Sequence, residues 1–224
     1  MPEWAAMTEL RTLSTAITGR YLVEPAAGTS GVQAPLLVGF HGYAQRAEHL
    51  LEELRRIPGA ENWTLVAVQA LHRFYSPKTK EVVGSWMTSQ DREQAIQDNL
   101  VYVARVVAEL RVDRGPGKLV FAGFSQGAAM AWRAAAHCKP CHGLIVLGGD
   151  LPLDVAEASA LSLPPILIGR GERDTLYPAA QLGKDLATLE DLGLQAEVIR
   201  FDGGHEWAPG FLGAAGHFLE GIQG

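Results

Sequence analysis

Apolar residues gather in short unbroken runs that recur along the chain, each ended by glycine or polar residues. Pro35–Phe40, Thr64–Val68, Lys118–Ala122, Gly143–Leu147 and Pro165–Gly169 are runs of this kind, and Ala196–Phe201 reads as a further strand although Glu197 and Arg200 interrupt it. Strands read this way when both faces of a sheet are covered. Between the runs the apolar spacing changes to a helical period. Leu50, Leu51 and Leu54 mark one face of a helix from about Arg46 to Ile57, stopped by Pro58-Gly59. Ile96, Leu100, Val103, Val107 and Leu110 do the same from Gln90 to about Arg111. The alanine-rich stretch Ala128–Ala136, the segment Pro178–Leu192 and the end of the chain from about Gly210 read as further helices. Ala16–Glu24 suggests an edge strand. The segment Gln69–Gln90 is the least regular and reads as a hairpin or an ordered loop, of the length that tends to serve function.

Alternation of β and α predicts an α/β fold with a mostly parallel central sheet, helices on both faces and no large cap domain. Repeats, low-complexity tracts and linkers are absent, so residues 1–224 are expected to form a single domain. A hydrophobic fraction of 47% against 20% charged residues suits one ordinary buried core. A net charge of −6 disfavours nucleic acid and anionic membrane surfaces as partners. No run approaches the roughly 18 apolar residues needed to insert in a membrane. Acids occupy the N-terminal stretch Met1–Glu9, where a secretory leader would carry bases, so cytoplasmic residence is expected. Cys138 and Cys141 form a C-x-x-C without a second pair or a histidine at ligand spacing; a structural or incidental role and no metal are expected.

The candidate chemistry lies at the ends of the apolar runs. Gly123-Phe124-Ser125-Gln126-Gly127 joins a strand to a helix and has the form of a nucleophile elbow, with Ser125 at the sharp turn. A serine hydroxyl needs a base, a carboxylate to orient that base, and donors for an oxyanion. Asp174, in a turn between Gly171 and Pro178, is the favoured acid, with Asp150 after Gly148-Gly149 as the rival. His205 follows two glycines beyond the last strand and is the favoured base. His49, His137, His142 and His217 fall in or beside regular elements, while His72 in the irregular segment stays open. The order Ser125, Asp174, His205 is the one this elbow expects. The backbone N–H of Gln126 and that of Tyr43, after His41-Gly42, are the expected oxyanion donors; His41 is expected to shape that loop.

On His41-Gly42-Tyr43, Ser85-Trp86, the elbow, Gly171-Glu172-Arg173-Asp174 and Gly204-His205, the chain resembles the alpha/beta-hydrolase superfamily. More narrowly it is similar to the phospholipase/carboxylesterase family, which includes acyl-protein thioesterases. The resemblance covers nearly the whole chain. It implies a Ser125–His205–Asp174 triad, hydrolysis of carboxylic or thio esters (lysophospholipids among them) through an acyl-enzyme, and no cofactor. It also implies a pocket near Trp86, Met87 and Leu176, where the chain departs from the usual pattern: Tyr43-Ala44-Gln45 follows His-Gly, Met87 follows the tryptophan, and Thr175-Leu176-Tyr177-Pro178 follows the acid. A small-molecule ester is the expected partner of a monomer or homodimer. The alternatives are a peptidase or acyltransferase on the same scaffold, or a hydrolase-like binding protein.

Overall fold

The computed structural model describes residues 9–27, 34–115, 117–158 and 162–223. The acidic stretch Met1–Glu9 therefore lies almost wholly outside the described residues. In chain order the strands are β1 (Arg20–Glu24), β2 (Leu36–Phe40), β3 (Thr64–Gln69), β4 (His72–Tyr75), β5 (Val82–Ser85), β6 (Leu119–Phe124), β7 (Gly143–Leu147), β8 (Ile166–Gly171) and β9 (Ala196–Phe201). The helices are α1 (Ala47–Arg55), α2 (Arg92–Arg114), α3 (Gln126–His137), α4 (Leu153–Ala156), α5 (Ala179–Asp191) and α6 (Pro209–Gln223).

A seven-stranded sheet runs in the order β1-β3-β2-β6-β7-β8-β9, and only the edge strand β1 is antiparallel to its neighbour. Alternate residues of each strand feed two apolar layers. Leu36, Val38 and Phe40 of β2 join α2, α3 and α5 on one face, whereas Leu37 joins α1 and α6 on the other. The expected α/β architecture is present, with no large cap among the described residues. The expected strand from Ala16 begins only at Arg20, because Gly19 lies hard against the Tyr102 ring, whose hydroxyl donates to the Arg20 carbonyl at 2.6 Å. Of the two readings of Gln69–Gln90, the hairpin is found: β4 and β5 pair antiparallel, His72 opposite Ser85 and Tyr75 opposite Val82. The single turn of α4 has no apolar period to announce it. Among the described residues no helix is long and apolar enough to cross a membrane.

Two close approaches set where the sheet's upper edge can carry side chains. At the β6–α3 junction Ser125 has φ 56° and ψ −122°, outside the broad allowed regions. A Cβ on Gly127 would be driven into the Phe40 carbonyl oxygen, and one on Gly123 into the Gly127 backbone. The first turn of α3 thus sits directly over the end of β2. Beside it, His41 is completely buried. The Ala70 N–H donates to its Nε2 at 3.1 Å, so the ring proton is on Nδ1, which donates to the Gly42 carbonyl at 2.7 Å. The Trp86 indole donates to the His41 carbonyl at 2.7 Å. Burial, the largest influence, pushes the His41 imidazole down to about 4 from its ordinary 6.5.

Gly127→Ala should therefore destabilise the fold by roughly 2–3 kcal/mol, read from urea denaturation, because helix and strand must separate to admit one methyl group. The His41 site predicts a pH dependence with a definite sign. The unfolded chain takes up the proton first, so the site's contribution is complete above pH 6.5 and shrinks as pH falls from 6.5 towards about 4. Between pH 6.5 and 5 wild type should lose about 1.5 kcal/mol more than His41→Asn, measured by denaturation at both values.

Candidate active site

The parallel strands end along one edge, and the expected chemistry collects there. Ser125 follows β6. Its N–H donates to the Leu147 carbonyl at the end of β7 (2.9 Å), and its own carbonyl accepts from the Ala128 N–H (2.9 Å). The hydroxyl stands at the N-terminal end of α3, where unpaired N–H groups and the helix dipole favour negative charge.

Asp174 lies in the turn after β8 and is 3% exposed. Its Oδ1 accepts the N–H groups of Leu176 (2.8 Å) and Tyr177 (2.9 Å), which fixes the plane of the carboxylate. Its Oδ2 faces His205 Nδ1 at 2.8 Å. A carboxylate flanked by N–H donors only accepts, so the Nδ1 proton is on the histidine and Nε2 carries the lone pair. Nε2 is enclosed and has no hydrogen-bond partner among the described residues, the Ser125 hydroxyl included. The His205 ring packs against Phe124, the residue before Ser125, with centroids 4.8 Å apart. Gly148 (φ 63°) completes the contact: a Cβ there would sit 2.9 Å from His205 Cε1 and 3.3 Å from Asp174 Oδ2. The structure thus brings His205 to Asp174 and beside the elbow. The rival Asp150 is exposed and makes no hydrogen bond to His205, and His72 projects from β4, also exposed.

The expected oxyanion loops are adjacent to the elbow. Among the described residues no turn or loop hydrogen bond uses the N–H of Tyr43 or of Gln126. The Tyr43 side chain is 60% exposed and its ring lies 5.7 Å from that of Phe74 in the hairpin.

The pocket residues divide differently from expectation. Trp86 is 0% exposed, sealed among Phe40, His41 and the apolar layer, so it is a core residue and not a pocket wall. Met87 is 5% exposed and belongs to the same layer. Leu176 stands at the other extreme, 75% exposed on the turn beside Asp174. A separate cleft of about 920 Å³ opens on the α3 side, between α2, α4 and α5, lined by Ile96, Ala129, Arg133, Asp150, Leu151 and Lys184 among others. Neither Ser125 nor His205 lines it, although Ala129 and Arg133 follow Ser125 by one and two turns of α3. Arg133, itself buried, pairs bidentately with Asp154 at 2.7 Å, which holds that carboxyl below its usual range.

Sequence reasoning missed the supports behind these groups. The Gln126 side chain bonds to residues 85–87, and no periodicity links positions so far apart. Tyr177, whose N–H holds Asp174, is itself tied down by its hydroxyl donating to Asp185 Oδ2 at 2.6 Å. Burial, before any other cause, raises the Asp185 carboxyl. Burial likewise raises both cysteine thiols, that of Cys141 to about 11, so neither is poised as a thiolate.

Comparisons with known proteins agree with this architecture. The chain is similar over 92% of its length to the whole of the esterase PE8 structure, with 26% identity and a TM-score of 0.73. It is similar over 92% of its length to the whole of acyl-protein thioesterase 2 from Zea mays (20% identity, TM-score 0.71). It also resembles, over 91% of its length, 94% of the carboxylesterase from Bacillus cereus (15% identity, TM-score 0.68). At these last two identities the likeness speaks for the fold alone. No curated protein sequence matches the chain. The sequence pattern of the phospholipase/carboxylesterase family matches residues 33–222, nearly the whole chain, and the protein belongs to that family, with the alpha/beta-hydrolase fold.

Proposed function

We propose that the protein hydrolyses carboxylic esters of small molecules through Ser125, His205 and Asp174, with the whole chain acting as one domain and without a cofactor. The observation that carries this reading is the state of His205. Its Nδ1 proton is held by a buried carboxylate at 2.8 Å, which leaves a basic Nε2, enclosed and without a partner among the described residues, on a ring packed against Phe124, the residue before Ser125. Membership of a family named for carboxylesterases supports the ester linkage, and the likeness to esterase PE8 supports it further.

The Ser125 oxygen attacks the ester carbonyl carbon as His205 Nε2 accepts the hydroxyl proton. The carbonyl electron pair moves to oxygen, where the N–H groups of Tyr43 and Gln126 hold the negative charge. Collapse breaks the bond to the alcohol, which leaves with the proton from Nε2. Water then attacks the acyl-enzyme, gives its proton to Nε2, and the acid departs as Ser125 regains a hydrogen. Asp174 stays ionised throughout and stabilises the imidazolium. The two N–H bonds on its Oδ1 keep it from rotating away.

Ser125→Ala should abolish turnover of p-nitrophenyl butyrate, and Asp174→Asn should lower kcat by on the order of 10³-fold or more by favouring the wrong tautomer. A serine-directed fluorophosphonate should label wild type at Ser125. Retained hydrolysis in clean Ser125→Ala protein overturns the reading, and an unlabelled wild type points to a binding role for the fold.

A further inference from the structure

Each of the two loops expected to face an oxyanion carries a non-glycine residue in the left-handed region of φ. Ala44 (φ 56°) directly follows Tyr43, and Ser125 (φ 56°) directly precedes Gln126. Such backbones persist where surrounding bonds over-determine them. One segment, residues 84–87, supplies bonds to both.

On the Tyr43 side, the Ala44 N–H donates to the Gly84 carbonyl at 2.9 Å, and the Gly84 N–H donates back to the Gln45 carbonyl at 3.0 Å. The oxyanion loop is thereby added to β5 as a short antiparallel bridge. On the elbow side the backbone has no partner of this kind, and a side chain stands in for one. The Trp86 N–H donates to Gln126 Oε1 at 2.9 Å, and Gln126 Nε2 donates to the Met87 carbonyl at 3.1 Å. The Ser85 hydroxyl donates to that same carbonyl at 2.7 Å and its oxygen lies 3.2 Å from Gln126 Nε2. A primary amide matches these groups because it presents one acceptor and one donor side by side, as a strand backbone does. The other bonds on the elbow, from Ser125 N–H to Leu147 and from Ala128 N–H to Ser125, do not reach the Tyr43 loop.

We propose that the Gln126 side chain is a positioning residue: by clasping residues 85–87, it sets the separation of the Tyr43 and Gln126 N–H groups across the reacting carbonyl. The inference rests on the ester-hydrolysis reading and adds to it the device that aligns the oxyanion donors. Donors preorganised for a developing charge act on the transition state and hardly on the bound ester. Loosening the clasp therefore lowers kcat and leaves KM nearly unchanged.

The test compares wild type, Gln126→Met, Gln126→Glu and Ser85→Ala, all of which keep the backbone N–H at 126. The measurements are p-nitrophenyl butyrate kinetics, the Ki of butylboronic acid as a tetrahedral mimic, and melting temperature. Gln126→Met should lose about 10- to 100-fold in kcat with KM within about threefold, and its boronic acid Ki should rise in step. Gln126→Glu keeps the acceptor for Trp86 but sets an anionic oxygen against the Met87 carbonyl, so it should lose at least as much kcat as Gln126→Met. A Gln126→Met variant with wild-type kcat, or with a loss confined to KM, overturns the clasp. If Gln126→Met does not fold, Ser85→Ala decides in the same terms: a drop in kcat with parallel weakening of the boronic acid supports the clasp, and unchanged values overturn it. A wild type whose turnover does not depend on Ser125 overturns the ester-hydrolysis reading, and the clasp's role with it.

Discussion

A backbone at φ 56° and ψ −122° is unfavourable for any residue with a Cβ, and the arrangement around Ser125 follows from holding it there. The reversal requires that the next helix start over the preceding strand with almost no clearance. Gly123 and Gly127 provide that clearance, because a side chain at either would enter neighbouring backbone. With α3 pressed against the end of β2, the loop after β2 leaves the strand from a fixed point, and the His41 ring bonds to the backbone on either side of it. Strain at one residue is thus offset by burial across two apolar layers.

The charge-bearing groups are arranged by the same principle, of polar atoms fixed by backbone donors before any substrate arrives. Asp174 is 3% exposed and accepts three hydrogen bonds, two from its own turn. That leaves the carboxylate one free direction, toward His205. Behind it Tyr177 is anchored on Asp185, a buried acid whose carboxyl is raised by burial and which also accepts from Gln181 at 2.8 Å. The hairpin β4–β5 serves the opposite side of the edge, where it touches both the Tyr43 loop and the elbow.

Much of this was legible because parallel strands with two covered faces leave continuous apolar runs, and those runs mark where the loops of one sheet edge begin. The strand β7 coincides with its predicted span, as does β9. Ser125, Asp174 and His205 could be singled out because each lies within about five positions after such a run. Trp86 and Leu176 could not be sorted the same way. Both stand in loops beside chemistry-bearing residues, yet one is sealed in the core and the other projects into solvent. Sequence neighbourhood says nothing about which side of a turn faces inward. The Gln126 amide was invisible for a related reason: its partners at 85–87 are some forty positions away and include backbone groups, which every residue has.

By itself, the sequence determined the order of the main strands and helices, the parallel sheet and the family resemblance, since all three are written in local periodicity and short motifs; α4 and the β4–β5 hairpin were not among them. Only the tertiary structure decided which carboxylate meets the histidine, which aromatic is buried, and that one hairpin ties two distant loops together. Those outcomes depend on directions and distances of a few ångströms between segments remote in the chain. Local hydrophobicity sets which face of an element is buried; it does not set which polar atoms come to oppose one another at the edge.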